Sequence, residues 1–146
     1  MTNKAIDVAK YIIKYEHSKG RSITNLRLQK LLYFCQGSVI MNTPDHSLCF
    51  DDYMEAWDYG PVVPSVYREY CEHYFFDLPD SDFEGHIEYS NIIDFTLESA
   101  ASLTTGELVG TSHNQAPWQE AYIKGCKKTI PQERIRKFFK DKSSRE

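Results

Sequence analysis

The chain has 146 residues, of which 41% are hydrophobic and 14% aromatic, and its formal net charge is −4. This length predicts one domain, and the aromatic content is sufficient for a packed core, which excludes a disordered or collagen-like chain. The mean hydropathy is −0.53 and no apolar run approaches the length of a membrane span, so no membrane-spanning segment is predicted.

The first 44 residues predict two amphipathic helices. Apolar residues recur at helical spacing through residues 2–18, and the Ser18-Lys19-Gly20 segment ends this first helix. Thr24 is a typical N-cap for a second helix, which carries an apolar stripe and ends at residues 41–43. We expect both apolar stripes to lie in the core.

The middle of the chain predicts less regular structure. Residues 48–57 favour a short strand or hairpin that leads into a turn at Asp58-Tyr59-Gly60-Pro61. Pro64 suits the first position of a helix, which is predicted over residues 65–75. Residues 77–85 are polar and acidic, which is typical of a surface loop.

Four further helices are predicted after the acidic segment. One covers residues 91–102, and the next begins at a capping box formed by Thr104 and Glu107. Pro117 opens a short helix that ends at Gly125, and Pro131 opens the last one. The predicted fold is therefore mainly α. It is a compact single domain over residues 1–142 with six or seven helices and one short β-hairpin, followed by a frayed tail at 143–146.

Cofactor and catalytic motifs are not found in the sequence. It has no phosphate-binding glycine loop and no metal-binding motif, and its four cysteines form no close pair. The N-terminus has no signal-peptide pattern, so we expect a cytoplasmic protein with reduced and mostly buried thiols. No histidine is placed beside a cysteine in a way that suggests a nucleophile, and we therefore predict no metal, no cofactor and no enzymatic activity.

Charge is distributed unevenly along the chain. Residues 45–100 carry fourteen acidic groups and one basic group, whereas residues 1–44 and 124–146 have an excess of basic groups. The nine basic groups of residues 124–146 are compatible with nucleic-acid binding, but the acidic middle would repel nucleic acid. We favour an intramolecular interpretation, in which the basic terminal segments neutralise the acidic middle, and we do not expect nucleic acid as a partner. The acidic block is otherwise interpreted as a solvated face or as an electrostatic guide for a basic protein partner.

Three motifs in a fixed order carry a family resemblance. They are Leu28–Gln36 (LQKLLYFCQ), Glu55–Tyr67 (EAWDYGPVVPSVY), and His113 followed by Pro117-Trp118. Together they resemble the Panacea domain, the antitoxin domain of bacterial and phage toxin–antitoxin systems that also includes SocA-type proteolytic adaptors. The resemblance extends roughly over residues 3–139. It departs from the usual pattern at Ser112, where the family commonly has threonine, and in the spacer 114–116.

The resemblance implies a mainly helical fold and a protein that neutralises a cognate toxin by direct contact. A proteolytic adaptor, which delivers the toxin to an ATP-dependent protease, is the alternative within the family. A DNA-binding repressor of its own operon is the other alternative. The oligomeric state and the identity of the toxin do not follow from the sequence.

The candidate partner-binding residues come from these motifs. They are Lys30, Trp57, Asp58, Tyr59, Gly60, Pro61, His113 and Trp118. In one interpretation the turn at Trp57–Pro61 and the segment His113–Trp118 share a shallow pocket, and His113 bonds the backbone of the helix turn that begins at Pro117 or the Asp58 carboxylate. In the other, the tryptophans and His113 belong to the core, and Lys30 is a surface lysine whose stem covers apolar neighbours.

Overall fold

The computed structural model describes residues 2–73 and 75–144, which form seven α-helices and a three-stranded sheet. The helices are α1 (Ala5–Ser18), α2 (Asn25–Asn42), α3 (Pro64–Tyr70), α4 (Ser90–Ala100), α5 (Thr105–His113), α6 (Ala116–Ala121) and α7 (Gln132–Ser143). The strands are β1 (Met54–Trp57), β2 (Gly60–Val62) and β3 (Lys128–Ile130), arranged in the order β2-β1-β3. The predicted mainly α class with a short hairpin is confirmed.

Helix α2 lies at the centre of the fold. It begins after Thr24, whose side chain accepts a hydrogen bond from the backbone N–H of Arg27 at 3.2 Å, as predicted for an N-cap. Helices α1, α3, α4, α5 and α7 all contact it. Because neighbours surround it, α2 buries polar as well as apolar positions.

Two buried glutamines of α2 fix the chain that leads into and out of the sheet. The Gln36 side-chain carbonyl accepts from the backbone N–H groups of Cys49 and Phe50, at 2.7 and 3.2 Å. The Gln29 side-chain carbonyl accepts from the backbone N–H of Val63 at 2.8 Å. These bonds satisfy buried backbone groups that have no partner in the sheet, and they hold the hairpin against α2.

Strand β3 is absent from the sequence prediction. The helix expected to continue to Gly125 ends at Ala121, and the chain then forms β3, which pairs antiparallel with β1 so that Glu55 faces Thr129. A three-residue strand has too little periodicity to be recognised, and its partner lies more than 70 positions away.

Three further predictions need correction. Helix α3 ends at Tyr70 and continues as a short 3₁₀ turn over Cys71–His73 instead of extending to residue 75, and residue 74 lies outside the described residues. Helix α7 extends to Ser143, one residue into the segment predicted as a tail, and residues 145–146 are outside the described part. Cys35 and Cys49 are buried, but Cys71 and Cys126 are exposed, so the thiols are not mostly buried.

Candidate functional site

A stack of three rings braces the turn between β1 and β2. The rings of His113 and Trp118 stack with centroids 4.0 Å apart, and Trp118 stacks on Tyr122 at 4.4 Å. Trp118 and Tyr122 lie four residues apart at the end of α6, which places both on the same side of the chain. The Trp118 indole N–H donates to the Trp57 carbonyl at 2.8 Å, and the Tyr122 hydroxyl donates to the Asp58 carboxylate at 2.6 Å.

Lys30 lies beneath the same turn. Its side chain is fully buried, and its ammonium group donates a hydrogen bond to the carbonyl oxygen of Pro61. Within the described residues no carboxylate lies within ion-pair distance of it. Burial lowers the pKa of Lys30 to about 7, because the charged form loses its hydration. The interpretation of Lys30 as a surface lysine is therefore wrong.

His113 closes the site from the side of α5. Its Nε2 atom is buried and has no hydrogen-bond partner among the described residues. Burial lowers the pKa of His113, the nearby charge of Lys30 acts in the same direction, and the Asp58 backbone opposes both. Of the two partners considered for His113, the Asp58 carboxylate instead accepts from the Tyr122 hydroxyl, and it is the backbone of Asp58 that contacts the histidine.

An open groove lies on the outer side of the braced turn. Its volume is about 580 Å³, and we call it the aromatic groove, lined mainly by Leu26, Trp57, Tyr59, Tyr67, Phe75 and Ile123. Tyr67 from α3, Cys71 from the 3₁₀ turn and Phe75 from the segment after it all line the groove. The ring of Tyr67 meets that of Trp57 edge to face, with centroids 4.7 Å apart.

Several large apolar side chains at the groove are open to solvent. Phe75 is 90% exposed, Tyr59 66% and Ile123 52%. Grouped exposed apolar residues around a concave surface are typical of interaction sites, whereas single ones are common on any protein. The groove is therefore the strongest candidate for a binding surface in the described part of the chain.

Charge at the groove comes from two side chains. Asp58 is held by Tyr122, whereas the Lys127 ammonium lies over the ring of Trp57, 4.2 Å from its centroid. No carboxylate in the described residues is within ion-pair distance of Lys127. Lys127 thus brings a positive charge to the groove, and its ammonium group contacts the face of the Trp57 ring.

The predicted site residues divide into two groups. Trp57, Asp58 and Tyr59 line the groove, and Gly60 and Pro61 form the buried strand behind it. The remaining three do not line the groove: Lys30, His113 and Trp118 support the turn from the inside. The interpretation with one shared pocket therefore needs correction. One group of predicted residues lines the groove, and the other group supports the turn from the protein interior.

Sequence reasoning missed the rest of the lining. The sequence assigns Tyr67 and Phe75 to the helix predicted over residues 65–75, and it gives no reason to select Ile123 or Lys127, although all four line the groove. The spacing of Tyr67, Cys71 and Phe75 was a usable signal, but the same spacing describes a core stripe equally well.

The acidic loop contains carboxylates with different roles. Asp77 accepts from the backbone N–H of Ile23 at 2.7 Å and pairs with His17 at 3.0 Å, so it fixes the loop to the body of the protein. The hydrogen bond to Asp77 raises the pKa of His17. Asp82 and Glu84 are exposed and make no recorded ion pair or hydrogen bond. In the acidic loop, these two carboxylates are therefore the ones whose negative charge a partner can contact.

The described residues provide no group of three or more His, Cys, Asp or Glu side chains that could hold a metal ion. Within that same part of the chain, no helix has the length and apolarity needed to cross a bilayer.

Comparison with known proteins gives two findings. The family model described as "Antitoxin SocA-like, Panacea domain" matches residues 28–119, which is more than half of the chain and extends from α2 to α6. The chain is also similar to Antitoxin SocA of Caulobacter vibrioides (strain NA1000 / CB15N), with 46% identity over 46 residues. That match covers 32% of this chain and 23% of the relative, so the chain spans about a quarter of the relative's length. No solved structure shows significant similarity.

Proposed function

Because the chain belongs to the SocA-like antitoxin family with a Panacea domain, we propose that it is an antitoxin that neutralises a cognate toxin by binding it directly. The observation that carries this proposal is the aromatic groove, with Phe75, Tyr59 and Ile123 largely exposed. Large aromatic side chains at the centre of an interface supply most of its binding free energy. A protein of this size with such a surface is suited to form a stoichiometric complex.

Co-expression tests the proposal. The probe is the product of the gene adjacent to the one encoding this chain, expressed from an inducible promoter in a host that lacks both. We expect the product to stop growth alone, and growth to recover when this chain is present. The two proteins should then co-purify as a complex of fixed stoichiometry, while the level of the toxin stays unchanged.

The alternative functions give different results in that experiment. A proteolytic adaptor would restore growth together with a fall in toxin level, and the level would recover in a protease-deficient host. A rescue without any complex between the purified proteins would contradict direct neutralisation. Failure to rescue at all would contradict an antitoxin role for this pair.

The positive charge of the basic C-terminal segment is only partly available for binding nucleic acid. Arg134 pairs with Glu120, Lys137 pairs with Asp141, and Arg136 donates to backbone carbonyls of Asp45 and His46. These intramolecular contacts reduce the positive charge available for phosphates. A salt-sensitive gel shift at the promoter of the operon would be required to support a repressor function.

The acidic loop is expected to accelerate association with a basic toxin. Asp82→Asn combined with Glu84→Gln should reduce the association rate about two- to fivefold at low salt and leave the dissociation rate unchanged. The reason is that exposed charges at a rim act mainly on the encounter, and salt screens them. Stopped-flow or surface-binding kinetics at several salt concentrations measure the effect.

The matched control removes two carboxylates from α7. Glu133→Gln combined with Asp141→Asn changes the net charge equally and breaks only exposed ion pairs. If both double variants slow association to the same degree, net charge alone is responsible, and the acidic loop has no local guiding effect.

A further inference from the structure

The aromatic groove has a chemical character that specifies its occupant. Its walls are apolar over most of their length, so a partner segment must bring apolar side chains to replace water there. Its volume of about 580 Å³ lies within the range of sites that enclose several side chains or a small ligand. Apolar contact alone would accept many partners, so specificity must come from the charged groups.

Lys127 is the charged group that constrains the partner most. Its ammonium lies 4.2 Å from the centroid of the Trp57 ring and has no carboxylate partner among the described residues. A partner that covers the groove removes water from this ammonium, and a buried charge without a counter-charge is costly. Asp58 differs, because the Tyr122 hydroxyl already donates to it at 2.6 Å.

We propose that the aromatic groove binds one segment of the toxin, whose apolar side chains enter the groove and whose acidic side chain pairs with Lys127. This inference rests on the proposed function and adds the site and the chemistry of the bound segment. Only the bound segment needs an acidic side chain. The rest of the toxin surface can therefore be basic and can be attracted by the acidic loop. The groove therefore selects an acidic side chain next to apolar ones, even on a basic protein.

Two neighbouring phenylalanines provide a matched test of the groove. Phe75 lines it and is 90% exposed, whereas Phe76 does not line it and is 73% exposed. Because both side chains are already open to solvent, neither Phe75→Ala nor Phe76→Ala should affect folding. We expect Phe75→Ala to weaken toxin binding about 10- to 100-fold, as for a central aromatic contact, and Phe76→Ala to change it less than about twofold.

Two neighbouring lysines provide the matched test of the charge. Lys127→Glu and Lys128→Glu change the net charge by the same amount, so their long-range effects on association are equal. Both side chains are exposed, and only Lys127 lines the groove. We expect Lys127→Glu to weaken binding at least tenfold beyond Lys128→Glu, and Lys127→Arg to bind like the original chain.

A charge exchange identifies the partner residue. Each acidic residue of the toxin is replaced singly by lysine, and the variants are tested against the Lys127→Glu chain by isothermal titration calorimetry. We expect one toxin variant to restore binding to Lys127→Glu and to lose binding to the original chain. If no toxin variant restores binding, the pairing with an acidic side chain is wrong.

The remaining outcomes separate the inference from the function on which it rests. If the toxin binds the original chain, and Phe75→Ala and Phe76→Ala weaken binding equally, direct neutralisation stands and the groove is not the site. If the toxin does not bind the original chain, both proposals fail. If analytical ultracentrifugation shows a dimer that Phe75→Ala dissociates, a second copy of this chain occupies the groove and the inference is overturned.

Discussion

Replacing Gly60 by alanine is expected to lower the free energy of unfolding by about 2–5 kcal/mol. Gly60 has a φ of +111°, which residues other than glycine rarely adopt. An added Cβ would also lie 2.7 Å from the hydroxyl oxygen of Ser112 and 3.0 Å from the ammonium nitrogen of Lys30. Both neighbours are buried, so neither can move away without disturbing the support of the hairpin. Urea unfolding followed by circular dichroism measures the change.

Gly110→Ala is the control for this substitution. Gly110 lies within α5, and an added Cβ would meet nothing within 4 Å. The same chemical change should therefore raise the free energy of unfolding by about 0.5–1 kcal/mol, since alanine favours the helix. A Gly60→Ala chain as stable as the original would show that the turn adapts, and the tight support described for it would be wrong.

Replacing Lys30 by methionine is expected to remove a pH dependence of stability. The pKa of Lys30 is about 7 in the folded chain and near its ordinary value of 10.5 in the unfolded chain. Between these two values the unfolded chain retains a proton that the folded chain releases, so stability rises with pH over this interval. Lys30 should contribute about 2 kcal/mol to the change in stability from pH 7 to pH 9, and Lys30→Met should lack this contribution.

Other titrating groups contribute to the pH dependence of every chain compared. The raised pKa of His17 makes stability fall as the pH rises above 6.5, and the raised pKa values of the Cys35 and Cys49 thiols make it fall above about pH 9. The lowered pKa of His113 destabilises the folded chain below pH 6.5, and the raised pKa values of Tyr11, Tyr15 and Tyr33 do so above pH 10. These contributions are common to all the chains, so the difference between Lys30→Met and the original chain reports on Lys30.

The exposed Lys10 supplies the control, because Lys10→Met should keep the contribution of Lys30 between pH 7 and pH 9. Urea unfolding at four pH values gives the slopes. Equal slopes for Lys30→Met and the original chain would contradict the lowered pKa of Lys30.

Features set by neighbouring residues could be predicted from the sequence. The cap at Thr24 is confirmed, and so is the capping box of Thr104 and Glu107, with both of its hydrogen bonds present. Pro64 begins α3 and Pro117 lies in the first turn of α6, in agreement with the fixed φ of proline. Each of these signals depends on residues no more than four positions apart. All the information needed to predict them is therefore present in the sequence itself.

Features that depend on distant contacts could not be predicted. A helix with an apolar stripe normally has a solvated face, so the sequence suggests a surface position for Lys30, but α2 has packed neighbours around most of its circumference. The two tryptophans look alike in sequence, although Trp57 lines the groove and Trp118 supports it from behind. Their difference is created by β3 and α6, which bring together residues more than 60 positions apart.

The packing of α7 against α2 has a consequence for synthesis in the cell. Gly37 leaves room for the ring of Phe139, since an added Cβ would lie 2.5 Å from two of its ring atoms. The centre of α2 is therefore fully packed only after residue 139 has left the ribosome. A nascent chain that has already produced the hairpin but not α7 still exposes part of the buried face of α2.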